Sequence, residues 1–186
     1  MLSTILKPSK KNIFITAGHG GIDPGAVGNG YKEADLTLEL RDLIVAELKD
    51  KYTVFTDVND HSLSKVLTWL RSLITANVLL VDIHFNASIN ALATGTEVLV
   101  PDNCSILESK LATSLSINIS KLLGLKNRFV KKESQSARGK IGILNIPAEN
   151  ILIEVCFISN KADVEAYQKN KALLAKEIAN TIKVHY

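Results

Sequence analysis

Four side chains in this sequence are of types and at positions that could do chemistry together: His19, Glu33, His84 and Glu154. His19 lies in Thr16-Ala17-Gly18-His19-Gly20-Gly21-Ile22-Asp23-Pro24-Gly25, a stretch that closes on Glu33. His84 lies in Val81-Asp82-Ile83-His84-Phe85-Asn86, and Glu154 follows Ile151-Leu152-Ile153. Each histidine, and Glu154, comes after an apolar run that reads as a buried strand. The ends of neighbouring strands converge at one edge of an α/β sheet, where such proteins build their sites. Two imidazoles and a carboxylate suit zinc, and a second carboxylate beside them can serve as a base. Either histidine alone would read as structural; as a pair on equivalent strand ends, with acids nearby, they read as ligands. His61, in the polar turn Asn59-Asp60-His61-Ser62, and His185 read instead as surface residues.

Strands and helices must hold these groups, and the hydrophobic pattern supplies both. Residues 12–16, 52–56, 77–84, 96–100 and 151–155 read as strands. The run at 77–84 is apolar on both faces until its end, as in a central parallel strand. Between the first strand and Glu33 come Gly18, Gly20, Gly21, Gly25, Gly28 and Gly30, a loop with a turn signal at Asp23-Pro24-Gly25. Apolar residues at three- and four-residue steps predict helices from Glu33 to about Asp50, from Leu63 to Ile74, over 106–123 and over 172–182. Glu33 thus opens a helix, where its plainer role is to complement the helix dipole. Residues 126–140 read as a basic loop with weak strand character at Phe129-Val130, and 141–144 as a short apolar piece of undecided type. Alternation of strand and helix argues for an α/β fold, a single domain with a mostly parallel sheet and helices on both faces.

A length of 186 residues with 46% hydrophobic content suits one well-buried domain. We read residues 1–11 as an N-terminal arm and 12–186 as the functional domain. The net charge of +3 fits mild attraction to an anionic surface, and with 5% aromatics it gives no case for nucleic acid. No run is long enough to span a membrane, so no membrane insertion is expected. The opening Met1-Leu2-Ser3-Thr4-Ile5-Leu6-Lys7-Pro8 has no long apolar core and no small-residue cleavage site, so no signal peptide is expected. Cys104 and Cys156 have no metal-ligand spacing and make no disulfide framework; Cys156 reads as a small core residue.

Together the motifs resemble those of the zinc-dependent N-acetylmuramoyl-L-alanine amidases. The resemblance rests on Ala17-Gly18-His19-Gly20-Gly21-Ile22-Asp23-Pro24-Gly25-Ala26 with Lys32-Glu33, and on Arg71 with Ala76-Asn77. It continues in Ile83-His84-Phe85-Asn86-Ala87, in Gly95-Thr96-Glu97, and in Ile153-Glu154-Val155-Cys156-Phe157-Ile158-Ser159-Asn160. It runs from about residue 12 to the end. It implies a twisted six-stranded sheet, one zinc on His19, Glu33 and His84, and Glu154 as catalytic acid/base. The bond cut would join the lactyl group of N-acetylmuramic acid to L-alanine in peptidoglycan. Four positions depart from the family pattern: Thr16 stands for an aspartate, Asp57 lies where an arginine is common, Asp82 stands for a serine, and Cys156 for a glycine.

Alternation puts Asp82 on the face of His84, where it can orient that ring or meet another partner. Asn86 and Glu97 are candidates for substrate contact or support, with support the stronger reading for Glu97. The basic series Lys121, Lys126, Arg128, Lys131, Lys132, Arg138 and Lys140 reads first as a solvated face, and second as a contact for anionic wall or peptide carboxylates. A nucleotide-binding module is disfavoured, because Gly18-His19-Gly20-Gly21 lacks the three-glycine spacing and there is no phosphate-loop lysine. A non-catalytic peptidoglycan-binding protein of the same fold is the remaining alternative. A monomeric wall-lytic enzyme acting outside the membrane, such as a phage or prophage endolysin, is the biological expectation.

Overall fold

A computed structural model describes residues 10–75 and 78–186. Of the arm expected over residues 1–11, all but Lys10 and Lys11 lies outside the described residues. So do Ala76 and Asn77, which carry part of one resemblance motif and the expected start of a strand.

The chain opens with β1 (Asn12–Ala17) and runs through the glycine loop, which contains a short antiparallel pair, β2 (Val27–Gly28) and β3 (Tyr31–Lys32). Asn29 and Gly30 turn between them at φ of 50° and 84°, the positive values this tight hairpin requires. There follow α1 (Glu33–Leu48), β4 (Thr53–Thr56), α2 (Leu63–Leu73), β5 (Leu79–Asn86), β6 (Thr96–Val100), α3 (Ile106–Leu123), β7 (Asn127–Lys132), β8 (Glu149–Phe157) and α4 (Lys161–His185). α3 has clear stops at both ends. Ser105 and Glu108 form a reciprocal capping box at its start, and Gly124 ends it in the left-handed conformation at φ 67°.

Among the described residues the main sheet has six strands in the order β4-β1-β5-β8-β6-β7. All neighbours are parallel except β6 and β8, which are antiparallel. Alternation divides each strand between two cores. One face, with Ile13, Ile15, Val81, Ile83, Ile151 and Ile153, packs against α1, α3 and α4. The other, with Phe14, Leu80, Leu99 and Leu152, packs against α2 and a 3-10 turn at Gly142–Asn145. The expected layering of helices on both faces is therefore present, and the layers are unequal.

Three boundaries differ from the sequence reading. β7 is a full strand where a loop was expected, because an edge strand is patterned by charge rather than by an apolar run. It is also bulged: Phe129 has φ 66°, and one extra residue lies between the pairs Asn127–Thr96 and Val130–Val98. α4 begins at Lys161 rather than near 172, since its polar first half offers only Val164 and Tyr167 as large buried apolar side chains, with buried Asp163 at its start. β5 continues through Asn86, so His84 lies within the strand and not at its end.

Candidate metal centre

The site grows from the face that carries α2. Along β1, β5 and β8 the apolar series Phe14, Leu80 and Leu152 turns polar two residues later, at Thr16, Asp82 and Glu154, and His84 follows two residues beyond Asp82. These side chains share one side of the sheet by strand alternation. Beyond Leu63 and Val66 of α2, this face opens into a cavity of about 700 Å³.

His19, Glu33 and His84 meet there, with one donor atom from each lying within 4.8 Å of the others. Glu33, the first residue of α1, is fixed by the main chain. Its Oε1 accepts from the Phe85 N–H at 3.0 Å, and its Oε2 accepts from the Ala26 N–H at 3.0 Å. Each oxygen also faces a histidine: Oε1 lies 3.0 Å from His84 Nδ1, and Oε2 lies 3.1 Å from His19 Nε2. The second approach is poorly aimed for a hydrogen bond, so the buried His19 Nε2 has no hydrogen-bond partner.

The opposite nitrogen of each ring is held by a carboxylate. His19 Nδ1 lies 2.8 Å from Asp23 Oδ2, and His84 Nε2 lies 3.1 Å from Asp82 Oδ2. Asp82 is itself held by the Thr16 hydroxyl, which donates to its Oδ1 at 2.6 Å. Thr16 and Asp82 are register partners on adjacent strands, so two departures from the family pattern meet in one contact.

Two glycines make this geometry possible. A Cβ on Gly18 would fall 2.3 Å from His84 Cε1. One on Gly25 would fall 2.7 Å from His19 Cδ2 and 2.8 Å from Glu33 Oε2. Gly25 also has φ 64°.

The charges are strongly coupled. Burial pushes the Glu33 carboxyl up, but His19 and His84 outweigh it and hold the acid well below its usual range. Burial opposes charge on His84, yet Asp82 and Glu33 raise its pKa well above that of a free imidazole. The Glu33 carboxylate beside it raises His19 against burial, and Asp23 adds to the rise. Both rings are thereby favoured in their charged form.

An orphaned buried nitrogen on His19, a fixed carboxylate, and two imidazoles oriented from behind fit a divalent cation of borderline softness, as zinc is. A metal here would be held by His19 Nε2, Glu33 and His84 Nδ1.

Glu154 stands beside this set. It pairs in register with His84 on β5 and, because β6 runs antiparallel, with Glu97 on the other side. Its buried Oε2 has no hydrogen-bond partner. Burial, with the negative charges of Glu33 and Glu97, pushes its pKa up to about 7, while His84 and Arg138 oppose the rise. A carboxyl of that kind can take a proton and return it near neutral pH.

Glu97, by contrast, is fully engaged. Its Oε2 accepts from Arg128 Nε at 2.7 Å and Lys131 Nζ at 2.6 Å, and its Oε1 accepts from Asn86 Nδ2 at 3.1 Å. Asn86 and Glu97 thus brace the cavity wall.

The structure brings together all four residues that opened the sequence reading, with the supporting candidates Asp82, Asn86 and Glu97 around them. His61 lines the cavity and is only partly exposed, so its reading as a plain surface residue is corrected. His185 hydrogen-bonds Ser114 Oγ far along the chain. Sequence reasoning missed Asp23 as the partner of His19; its signal was the four-residue spacing inside the glycine loop. It also missed Asp163 in the first turn of α4. That carboxylate accepts from the N–H groups of Phe157 at 3.0 Å and Gly95 at 3.1 Å, and so pins the β8 and β6 ends that carry Glu154 and Glu97.

Comparison with known proteins gives a consistent result. The family profile described as N-acetylmuramoyl-L-alanine amidase matches residues 13–184. The uncharacterized protein YqiI of Bacillus subtilis is 30% identical over 184 residues, covering 95% of this chain and 85% of that one. The N-acetylmuramoyl-L-alanine amidase LytC of the same organism is 28% identical over 172 residues, covering 89% of this chain. The chain spans only 34% of LytC's length. Among solved structures, an N-acetylmuramoyl-L-alanine amidase from Clostridium difficile 630 superposes with a TM-score of 0.81 at 22% identity, covering 95% of this chain and 96% of that one. At that identity the likeness shows a shared fold.

Proposed function

Because the chain belongs to the N-acetylmuramoyl-L-alanine amidase family, matched over residues 13–184, we propose that it hydrolyses the amide between the lactyl group of N-acetylmuramic acid and L-alanine in peptidoglycan, with one zinc ion held by His19, Glu33 and His84. The observation that carries this reading is the pairing of a three-donor cluster with the orphaned Oε2 of Glu154 beside it. A bound zinc would supply Lewis-acid polarisation of the scissile carbonyl and make water acidic enough to attack at neutral pH.

The protein's own groups do the rest. Glu154 accepts a proton from the attacking water and returns it to the leaving nitrogen of L-alanine. Asp23 and Asp82 keep the two imidazoles in the tautomers that expose His19 Nε2 and His84 Nδ1. The Thr16 hydroxyl holds Asp82 in that pose. Asn86 and Glu97 support the wall beside Glu154.

A non-catalytic wall-binding role would leave no use for a buried, unpartnered carboxyl next to a complete donor set. The reading is tested by digesting purified peptidoglycan and identifying the new ends by mass. Free lactyl-muramic acid and amino-terminal L-alanine are expected. Release should stop with a chelator and return with added zinc. Cuts at a glycosidic bond, or full activity in chelator, would overturn the reading.

A further inference from the structure

One wall of the cavity is contributed by a single stretch of chain, from Arg128 in β7 to Ile143, and its charge is one-sided. Arg128, Lys131 and Arg138 line it, against the lone carboxylate of Glu97. The rest of the lining is acidic around the histidines, with Asp23, Glu33 and Asp82, and Glu154 stands between the two.

The three cations are not equivalent. Arg128 and Lys131 both bond Glu97 Oε2, and the Arg128 guanidinium also sits 5.0 Å over the Phe157 ring. The bulge at Phe129 is what allows this, since plain alternation would turn residues 128 and 131 to opposite faces. Arg138 is exposed; its charge acts on Glu154, but its guanidinium makes no hydrogen bond or salt bridge with any described residue.

Its loop is nevertheless built. Buried Glu133 accepts from the Ile141 N–H and from Asn145 Nδ2, each at 2.9 Å. Ser136 Oγ donates to the Glu133 carbonyl at 2.7 Å, and Ser134 Oγ donates to Asp102 at 2.6 Å. A guanidinium on a fastened loop, with its planar fork free, is suited to a carboxylate.

We propose that Arg138 anchors a free carboxylate of the stem peptide, so that the peptide side of the cleaved amide lies along the Arg128–Arg138 wall and the glycan lies on the opposite side. This assignment rests on the amidase reading. Near the scissile bond the muramoyl side is uncharged, while the peptide continues into residues that carry carboxylates, so only one orientation sets opposite charges against each other. Arg138 is on this account a specificity-determining residue.

The test uses two soluble muramoyl peptides that differ only at the second stem residue, free carboxylate in one and carboxamide in the other. The parent protein, Arg138→Gln, Arg138→Lys and Lys140→Gln are compared with zinc content measured for each. Lys140 is an exposed charge on the same stretch that does not line the cavity.

The parent should have a KM about tenfold lower for the carboxylate substrate, the scale of one charge-assisted contact. Arg138→Gln should raise that KM and erase the preference, with the carboxamide KM unchanged and any change in kcat the same for both substrates, since the Arg138 charge also acts on Glu154. Arg138→Lys should restore part of it, and Lys140→Gln should behave as the parent does. Equal KM values in the parent, or a preference that survives in Arg138→Gln, would overturn the assignment and leave the amidase reading standing. Failure of the parent to release L-alanine peptides from either substrate would overturn both.

Discussion

Glu154 sits in an environment far from water, buried and beside two other carboxylates. In the metal-free protein its carboxyl is pushed from an ordinary 4.5 up to about 7 by burial. A raised folded pKa means that the native state binds the proton more tightly than the unfolded chain. Its contribution to stability is then complete below about pH 4.5 and is lost as pH rises through about 7. Glu154→Gln mimics the protonated form, so it should match the parent near pH 4 and exceed it at pH 8 by on the order of 2 kcal/mol in urea unfolding of the metal-free proteins. The same variant should still bind zinc and should lose at least about a hundredfold in amide hydrolysis. Asp82 acts one contact further out, on the far nitrogen of His84. Asp82→Ala should weaken zinc binding by roughly 10- to 100-fold in a chelator competition, before any assay of hydrolysis. An unchanged affinity would show that His84 keeps its orientation without that carboxylate.

At the scale of elements, the site depends on strand ends being held where they are. β6 and β8 run in opposite directions, which sets the start of one beside the end of the other and Glu97 opposite Glu154. Asp163 at the start of α4 fastens both, accepting from the Phe157 and Gly95 N–H groups and from the Thr94 hydroxyl. Asp163→Ala would leave buried donors unpaired and should destabilise the fold by about 2–4 kcal/mol in chemical denaturation, with Asp163→Asn costing less because it keeps an acceptor. A change of a few tenths would mean that the junction is held by the strand ladder alone.

For the whole molecule, the two faces of the sheet have different work. The face under α1, α3 and α4 holds the larger core, and the face under α2 gives up part of its cover to a cavity. The donor set is therefore assembled from the glycine loop, α1 and β5 only when the sheet is complete. A cation bound there should stabilise the entire fold. Zinc at a hundred times its dissociation constant would add about 2.7 kcal/mol. For a chain of this size that is a rise in melting temperature of roughly 5–10 °C, removed by a chelator and absent in His19→Ala. Scanning calorimetry with and without metal measures it directly.

Residue types and their spacing specify the chemistry on offer and the strands that carry it. Apolar runs ending in histidine or glutamate mark both the buried strand and the polar group that leaves the core, because burial is written residue by residue. The motif resemblance then implied one site for His19, Glu33, His84 and Glu154. Which strands are neighbours is settled only in the folded sheet, and with it that Thr16 holds Asp82, that Glu97 faces Glu154, and that Asp23 backs His19. The fold also decides that Arg138 reaches the cavity while Lys140 does not. Strand pairing is made by backbone groups common to every residue, so order and direction leave little trace in side-chain pattern. The contacts that orient the site belong to that pairing.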